Sequence, residues 1–281
     1  MTLIFKAVAV MVILILLAII GLWTLGARQP SQAIYKSRNV IFLALRHKDP
    51  AHVQASNVLG ASSLWRASAT FPFLGTDTLH WTDYMILPPD ANLLIGLQDS
   101  PDFEDLYAAK IQLTQVPVLV LGLLRAMHLL GITNRPDGPL PQSDEEIGGR
   151  ADIMPTMGAL DASLAMPADA QITMMNYLEY VPTEDGRKSQ GRRTYNLYGA
   201  EAIKSVHMVG GQFLFAGRIT EVLIASKHDP VAAVWDDLAA MIYPDPTAIF
   251  YMEQREAYRN ALTYRDEGLA SSIVIATQSY R

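Results

Sequence analysis

Cysteine is missing from all 281 positions. Its absence excludes disulfides, thiolate nucleophiles and Cys-based zinc sites, and it fits the cytosol and the periplasm equally. Positive charge is scarce too: 22 Lys and Arg against 28 Asp and Glu leave a net charge of -6. Nucleic-acid binders normally carry a basic patch or stripe, so nucleic acid is not an expected partner. Familiar catalytic motifs are also lacking. Ser62-Ser63 and Ser271-Ser272 have no G-x-S-x-G context, and neither Gly148-Gly149 nor Gly210-Gly211 carries the Lys and Ser/Thr of a phosphate loop. No nucleotide fingerprint is present, and no cofactor is expected.

The widest gap in charge runs from Ala7 to Ala27, between Lys6 and Arg28. A spanning helix needs about 20 apolar residues, and Trp23 stands where an interfacial aromatic belongs. A cleaved signal peptide would have a shorter apolar core and a small-x-small site, which Thr24-Leu25-Gly26-Ala27 does not provide. Residues 1–29 are therefore read as a single-pass anchor, with membrane lipid as the partner of residues 7–27. Arg28, Lys36, Arg38 and Arg46 follow the span, and the positive-inside rule would put the body in the cytoplasm. A basic start before an apolar run is also the pattern of an uncleaved secretory signal, and the periplasmic side is preferred. Removal of residues 1–27 is expected to leave a soluble, folded remainder.

Periodicity orders the rest. Gln171–Tyr180 reads as a strand, and Asp185-Gly186 marks a turn. Tyr195, Tyr198, Ala202, Val206 and Val209 then line one face of a helix that Gly210-Gly211 ends. Gln212–Ala225 and Val234–Tyr243 are strands, Asp245-Pro246 opens a second helix, and Ser272–Thr277 is a last strand. The order βαββαβ is that of the split-βαβ, or ferredoxin-like, motif. The first half suggests the same order: a strand at Asn39–Arg46, a helix at His52–Thr70, and strands at Thr78–Leu87 and Asn92–Gln98. A helix opened by Asp99-Ser100-Pro101 with Phe103, Leu106 and Tyr107, and a strand at Val118–Leu124, complete it. Gly131–Ala170, rich in Pro, Gly, Asp and Met, is read as a linker or lid.

The second half resembles domain-of-unknown-function family 1330, of the dimeric α/β-barrel superfamily. The resemblance rests on Asn176-Tyr177-Leu178, Gly210-Gly211, Trp235-Asp236, Tyr243-Pro244, Arg255-Glu256-Ala257-Tyr258, Tyr264-Arg265 and Leu269. The family places His-Arg where this chain has Tyr264-Arg265, so no role of that histidine carries over. The resemblance implies a ferredoxin-like unit that pairs sheet to sheet with another. The expected fold is α+β: two ferredoxin-like units (30–130 and 170–281, joined by linker 131–169) that form an intrachain pseudo-dimeric α/β barrel behind one transmembrane helix.

Candidate chemistry is sparse. His47, Asp49 and His52 are close in HKDPAH, but Pro50 marks a loop and no third ligand is placed, so no metal site is expected. His207 with Tyr198 is the candidate acid–base pair, although a His at a helix C-terminus more often serves the helix dipole. Tyr177, Tyr195, Trp235 and Tyr251 are candidate lining for a pocket, against the plainer reading of core packing. Glu179 and Asp236, at strand ends, are candidate paired carboxylates, against the plainer reading that they are solvated or salt-bridged to Arg218 or Arg265. Two functions remain open: a module that binds a small apolar ligand or is structural, which is preferred, and a cofactor-independent oxygenase- or isomerase-like enzyme.

Overall fold

Strands with apolar residues on both faces need cover on both sides. The computed structural model supplies it with a closed barrel. The structure describes residues 2–49, 62–76, 78–97, 99–133, 135–136, 138–147, 154–229 and 232–280. The wall consists of β1 (Asn39–His47), β2 (Trp65–Leu74), β3 (Asp83–Leu87), β4 (Phe103–Leu113), β5 (Ile172–Tyr180), β6 (Gln212–Ile224), β7 (Asp237–Tyr243) and β8 (Leu269–Ser279). Around the barrel the order is β1-β3-β2-β8-β5-β7-β6-β4, and all neighbours are antiparallel.

Each half keeps one internal order. The first reads β4-β1-β3-β2 and the second β8-β5-β7-β6, so in both the fourth strand of the half is followed by its first, third and second. Two seams join the halves. Phe71 of β2 lies opposite Ala276 of β8, and Ile111 of β4 opposite Ile219 of β6.

The pleat sorts side chains between inside and outside. Val40, Phe42 and Ala44 of β1 point inward and join Tyr84, Tyr107, Met175, Tyr177, Phe215 and Ile275 in one cluster. Ile41, Leu43 and Leu45 point outward, beneath Leu94, Leu97, Phe103 and Leu106. Met175 and Leu43 are both fully buried, on opposite faces of the wall.

Helices cover the outer face of β2 and of the second half. They are α3 (Met157–Leu164), α4 (Ser189–Met208), α5 (Ala248–Glu253) and α6 (Glu256–Gly268), preceded in the chain by α1 (Thr2–Ala27) and α2 (Val118–Leu129). Tyr198, Ala202, Val206, Phe250, Tyr258 and Leu262 pack on Ile172, Met174 and Val274. Gly210 ends α4 at φ +87°, and the Gly211 N–H donates to the Val206 carbonyl while the Gly210 N–H donates to that of His207. This is the Schellman arrangement that a C′ glycine permits.

The first half departs from its expected elements. Residues 65–70, expected at the end of a helix, belong to β2; residues 52–61 of that helix lie outside the described residues. The strand expected at Thr78–Leu87 is confined to Asp83–Leu87. Residues 92–94, expected at the start of a strand, belong to a 3-10 turn, Ala91–Leu94, that Asp90 begins by accepting the Asn92 N–H at 3.0 Å. Phe103, Leu106 and Tyr107, expected on a helix, lie on β4. Val118–Leu124, expected as a strand, starts α2. A short apolar run reads alike in strand and helix, and tertiary packing decides between them. The packing here is against α1: a Cβ on Gly122 would lie 1.8 Å from the Leu22 carbonyl oxygen, and one on Gly26 2.0 Å from that of Val118. The last turn of α1 is thus joined to the folded part, and removing residues 1–27 would uncover the apolar surface of α2.

From Val10 to Ala27, α1 is long and apolar enough to cross a membrane, and 6% of that stretch is buried. The 131–169 segment is tied down at Arg135, whose Nη1 donates to Asp245 Oδ2 at 2.7 Å. Asp245 Oδ1 also accepts from the Thr247 N–H at 3.0 Å and its hydroxyl at 2.8 Å, setting the turn into α5. Asp245→Ala should lower stability by about 1–2 kcal/mol, from the lost turn bonds and the half-buried ion pair. Equilibrium unfolding in detergent measures this, and an unchanged midpoint would show that the turn forms without the carboxylate.

Candidate functional site

One mouth of the barrel is roofed by the β2–β3 and β6–β7 connections, which hold corresponding places in the two halves. Each brings a tryptophan two residues before its strand, in Trp81-Thr82-Asp83 and Trp235-Asp236-Asp237. Trp81 lies 6.5 Å from Tyr107 and Trp235 5.7 Å from Tyr177, ring centre to ring centre. Phe42 packs against Tyr84 and Tyr177, 6.0 Å from both. Between them is a cavity of about 220 Å³, whose polar rim includes Thr76, Thr78, His80, His228 and Asp229.

The phenols define its chemistry. Among the described residues the buried Tyr107 hydroxyl has no hydrogen-bond partner, while the buried Tyr177 hydroxyl approaches that of Tyr84. Burial raises the Tyr177 and Tyr84 phenols above their ordinary value, and burial with the nearby Asp229 charge pushes Tyr107 up to about 12. All three remain neutral hydroxyls that donate or accept. They are not bases.

The rim is organised by Asp105. Burial raises its carboxyl, but hydrogen bonds from Ser226, the Lys227 amide, His80 and the Leu106 amide outweigh this and hold it at about 2. The Lys227 N–H donates at 2.9 Å and the Ser226 hydroxyl also donates, so a β4 carboxylate fixes the β6–β7 connection. His80 Nε2 lies 2.8 Å from Asp105 Oδ2, and Arg46 Nη1 3.2 Å from His80 Nδ1. A guanidinium can only donate, so Nδ1 accepts and Nε2–H donates to Asp105. Both ring nitrogens are occupied.

The structure divides the candidate residues. Tyr177 and Trp235 meet at the barrel mouth. Tyr195 and Tyr198 lie outside the wall, where Tyr198 and Tyr258 hydroxyls are 2.7 Å apart. Tyr251 is the platform for Arg135, whose guanidinium lies 3.7 Å from its ring centre. His207 Nδ1 is 2.8 Å from the Ile203 carbonyl, and the ring is buried with Arg125 and His128 nearby. Burial lowers its pKa, so it is neutral. His207 and Tyr198 are nine residues apart on α4, about 13 Å along its axis, and line no common cavity. Glu179 and Asp236 both pair with Lys188 at 3.1 Å, not with Arg218 or Arg265. His47 Nε2 faces Asp83 Oδ2 at 3.1 Å, and His52 lies outside the described residues.

A second cavity separates the outer sheet face from α4, α5 and α6. At about 50 Å³ it has room for a few waters, not for a metabolite. Arg265 and Glu253 line it, 6% and 4% exposed. Among the described residues no carboxylate reaches ion-pair distance of Arg265, which contacts Met154 Sδ at 3.6 Å and the Tyr198 ring. Burial raises Glu253 to about 8 from an ordinary 4.5, although Arg265 and Arg259 oppose it. Between those values the folded chain keeps a proton that the unfolded chain has released. Stability from this group therefore falls as pH rises from about 4.5 to 8 and levels off above. Glu253→Gln should flatten that decline, read as the urea midpoint at pH 5 against pH 8.5. An unaltered decline would show that Glu253 titrates normally.

No protein-family model matches the chain, and no curated protein does. Among solved structures it is similar to a protein of unknown function from Rhodopseudomonas palustris, at 22% identity and a TM-score of 0.37, over 45% of this chain and 95% of the other. It is also similar to two proteins named as candidate monooxygenases. One, from Fusobacterium nucleatum subsp. nucleatum, is 8% identical with a TM-score of 0.43, over 86% of this chain and 92% of its own. The other, from Lactobacillus acidophilus, is 6% identical with a TM-score of 0.43, over 86% and 94%. The architecture of this chain, an α+β protein with a closed eight-stranded antiparallel barrel, rests on its own strand pairings.

Proposed function

We propose that this chain binds a small ligand, a single aromatic ring or a group of similar size bearing one hydrogen-bonding substituent, in the barrel mouth at a membrane surface. The observation that carries this reading is the buried Tyr107 hydroxyl, without a hydrogen-bond partner among the described residues, on an aromatic cavity that Tyr84 and Tyr177 also line. An apolar cavity of about 150 Å³ can admit benzene, so 220 Å³ suffices for a substituted ring. Binding is favoured over acid–base catalysis because both nitrogens of His80 are engaged and the phenols are held neutral. Anchoring through α1 and a periplasmic barrel complete the proposal.

We further propose that both halves are ferredoxin-like units and that the chain is a pseudo-dimer, in keeping with the resemblance of residues 170–279 to family 1330. The repeated strand order supports it. A fragment of residues 168–281 would bare the edges of β6 and β8, so it should dimerise or aggregate; a stable monomer in sedimentation would overturn the pseudo-dimer.

Calorimetric titration with phenol, and with toluene as the ring without a hydroxyl, tests the ligand reading. Phenol should bind more tightly than toluene. Tyr107→Phe should weaken phenol by about 3- to 10-fold, the worth of one neutral hydrogen bond, and leave toluene unchanged. Without ligand the same variant should be at least as stable as the parent, because it deletes an orphaned buried hydroxyl. Equal affinity for both rings in the parent, or no binding, would remove the assignment.

A further inference from the structure

We infer that α2 is carried into the bilayer beside α1, so that the protein meets the membrane with two helices. The inference rests on the proposed anchoring through α1 and extends it to α2. Ala7 to Ala27 rises about 31 Å at 1.5 Å per residue, close to the roughly 30 Å of hydrocarbon in a bilayer. The uncharged stretch of α1 ends at Ala27, so a spanning α1 places Leu22–Ala27 at the hydrocarbon boundary. Those are the residues against which α2 packs. Gly26 meets Val118 and Gly122 meets Leu22, each too closely for any Cβ, so α2 cannot stay in water while its partner turn is in lipid. Small residues that let backbones touch are the usual means of packing helices in lipid.

The outward surface of α2 suits that place. Leu119, Val120 and Leu123 are exposed, and Leu129, Leu130 and Ile132 continue the surface at 59%, 74% and 65% exposure. Arg125 and His128, the charged or polar residues of α2, approach His207 of α4. Exposed apolar surface on a helix continuous with a lipid-facing one is best covered by the same acyl chains.

The missing cysteines allow a direct test on the full chain. Val12→Cys on α1, Leu123→Cys on α2 and Glu184→Cys on an exposed turn are each given a nitroxide and reconstituted in phosphatidylcholine–phosphatidylglycerol vesicles. Collision with oxygen, which concentrates in lipid, is compared with collision with a water-soluble nickel chelate. The proposal expects the oxygen-to-nickel ratio at 123 to shift toward that at 12 and away from that at 184. Oxygen preference at 12 with nickel preference at 123 overturns the role of α2 and leaves the anchor intact. Shielding of 123 from both reagents overturns it in favour of a protein partner, such as a second copy of the chain. Nickel preference at 12 overturns the anchoring itself, and the proposal with it.

Discussion

Eight strands can hide their inner faces from water only if the wall closes, and closure depends on the two seams where β2 meets β8 and β4 meets β6. Separated at either seam, the halves would expose a row of unpaired N–H and C=O groups and the cluster of Phe42, Tyr84, Tyr107, Tyr177 and Phe215. The seams therefore stabilise more than their own hydrogen bonds. They create the interior, and with it the mouth where Tyr84, Tyr107 and Trp81 of one half face Tyr177 and Trp235 of the other. Neither half contains this site alone.

Polar groups on the wall reinforce the closure. Asp105 of β4 accepts from the Lys227 and His228 amides, so a carboxylate of the first half fixes a loop of the second beside the β4–β6 seam. Asp83 and Asp237, corresponding residues at the start of the third strand in each half, are both tied to neighbours. Asp237 pairs with Arg192 at 2.6 Å and accepts from Tyr180, while Asp83 faces His47 at 3.1 Å and accepts from Tyr280. The position is kept while its partners differ. A buried carboxylate without such partners would be costly, which is why each half meets the need from whatever residues lie near.

The second half was legible because its elements carry independent signals. The one-face spacing of Tyr198, Ala202 and Val206, the stop at Gly210 and the turn at Asp245 each mark a boundary without reference to the rest of the fold. The first half lacks such marks. Phe103–Leu113 mixes apolar residues with Glu104, Asp105, Lys110 and Gln112, Val118–Leu129 is apolar almost throughout, and their assignments as strand and helix depend on the neighbours that receive them: β1 and β6 for the first, α1 for the second. Aromatic residues at the site were equally ambiguous. Tyr177, Tyr195, Trp235 and Tyr251 have the same chemistry in sequence, and only the pleat separates Tyr177, facing inward, from Tyr195 under the helices. One signal was available: Trp81-x-Asp83 and Trp235-x-Asp237 repeat a spacing ahead of matching strands, and comparing the halves for it would have found Trp81 and the mouth.

Helix α2 gives these parts a common frame. On one side it touches α1 through backbone, at Gly26 and Gly122; on the other, Arg125 and His128 approach His207 near the end of α4. Contacts between backbones leave no flexible side chain to absorb movement, so α1 and α2 move as one body. The end of α4 is tightly set as well, since a Cβ on Gly211 would lie 2.6 Å from the Ile242 carbonyl oxygen of β7. A continuous path of close packing therefore runs from the apolar helix through α2 and α4 to β7, the strand that begins two residues after Trp235. With α1 in a bilayer, the barrel is held at a set distance and tilt from the surface and does not swing on a tether. The ligand pocket we propose would gain from that constraint, because ligands of that kind concentrate in the adjoining lipid and would meet the protein there.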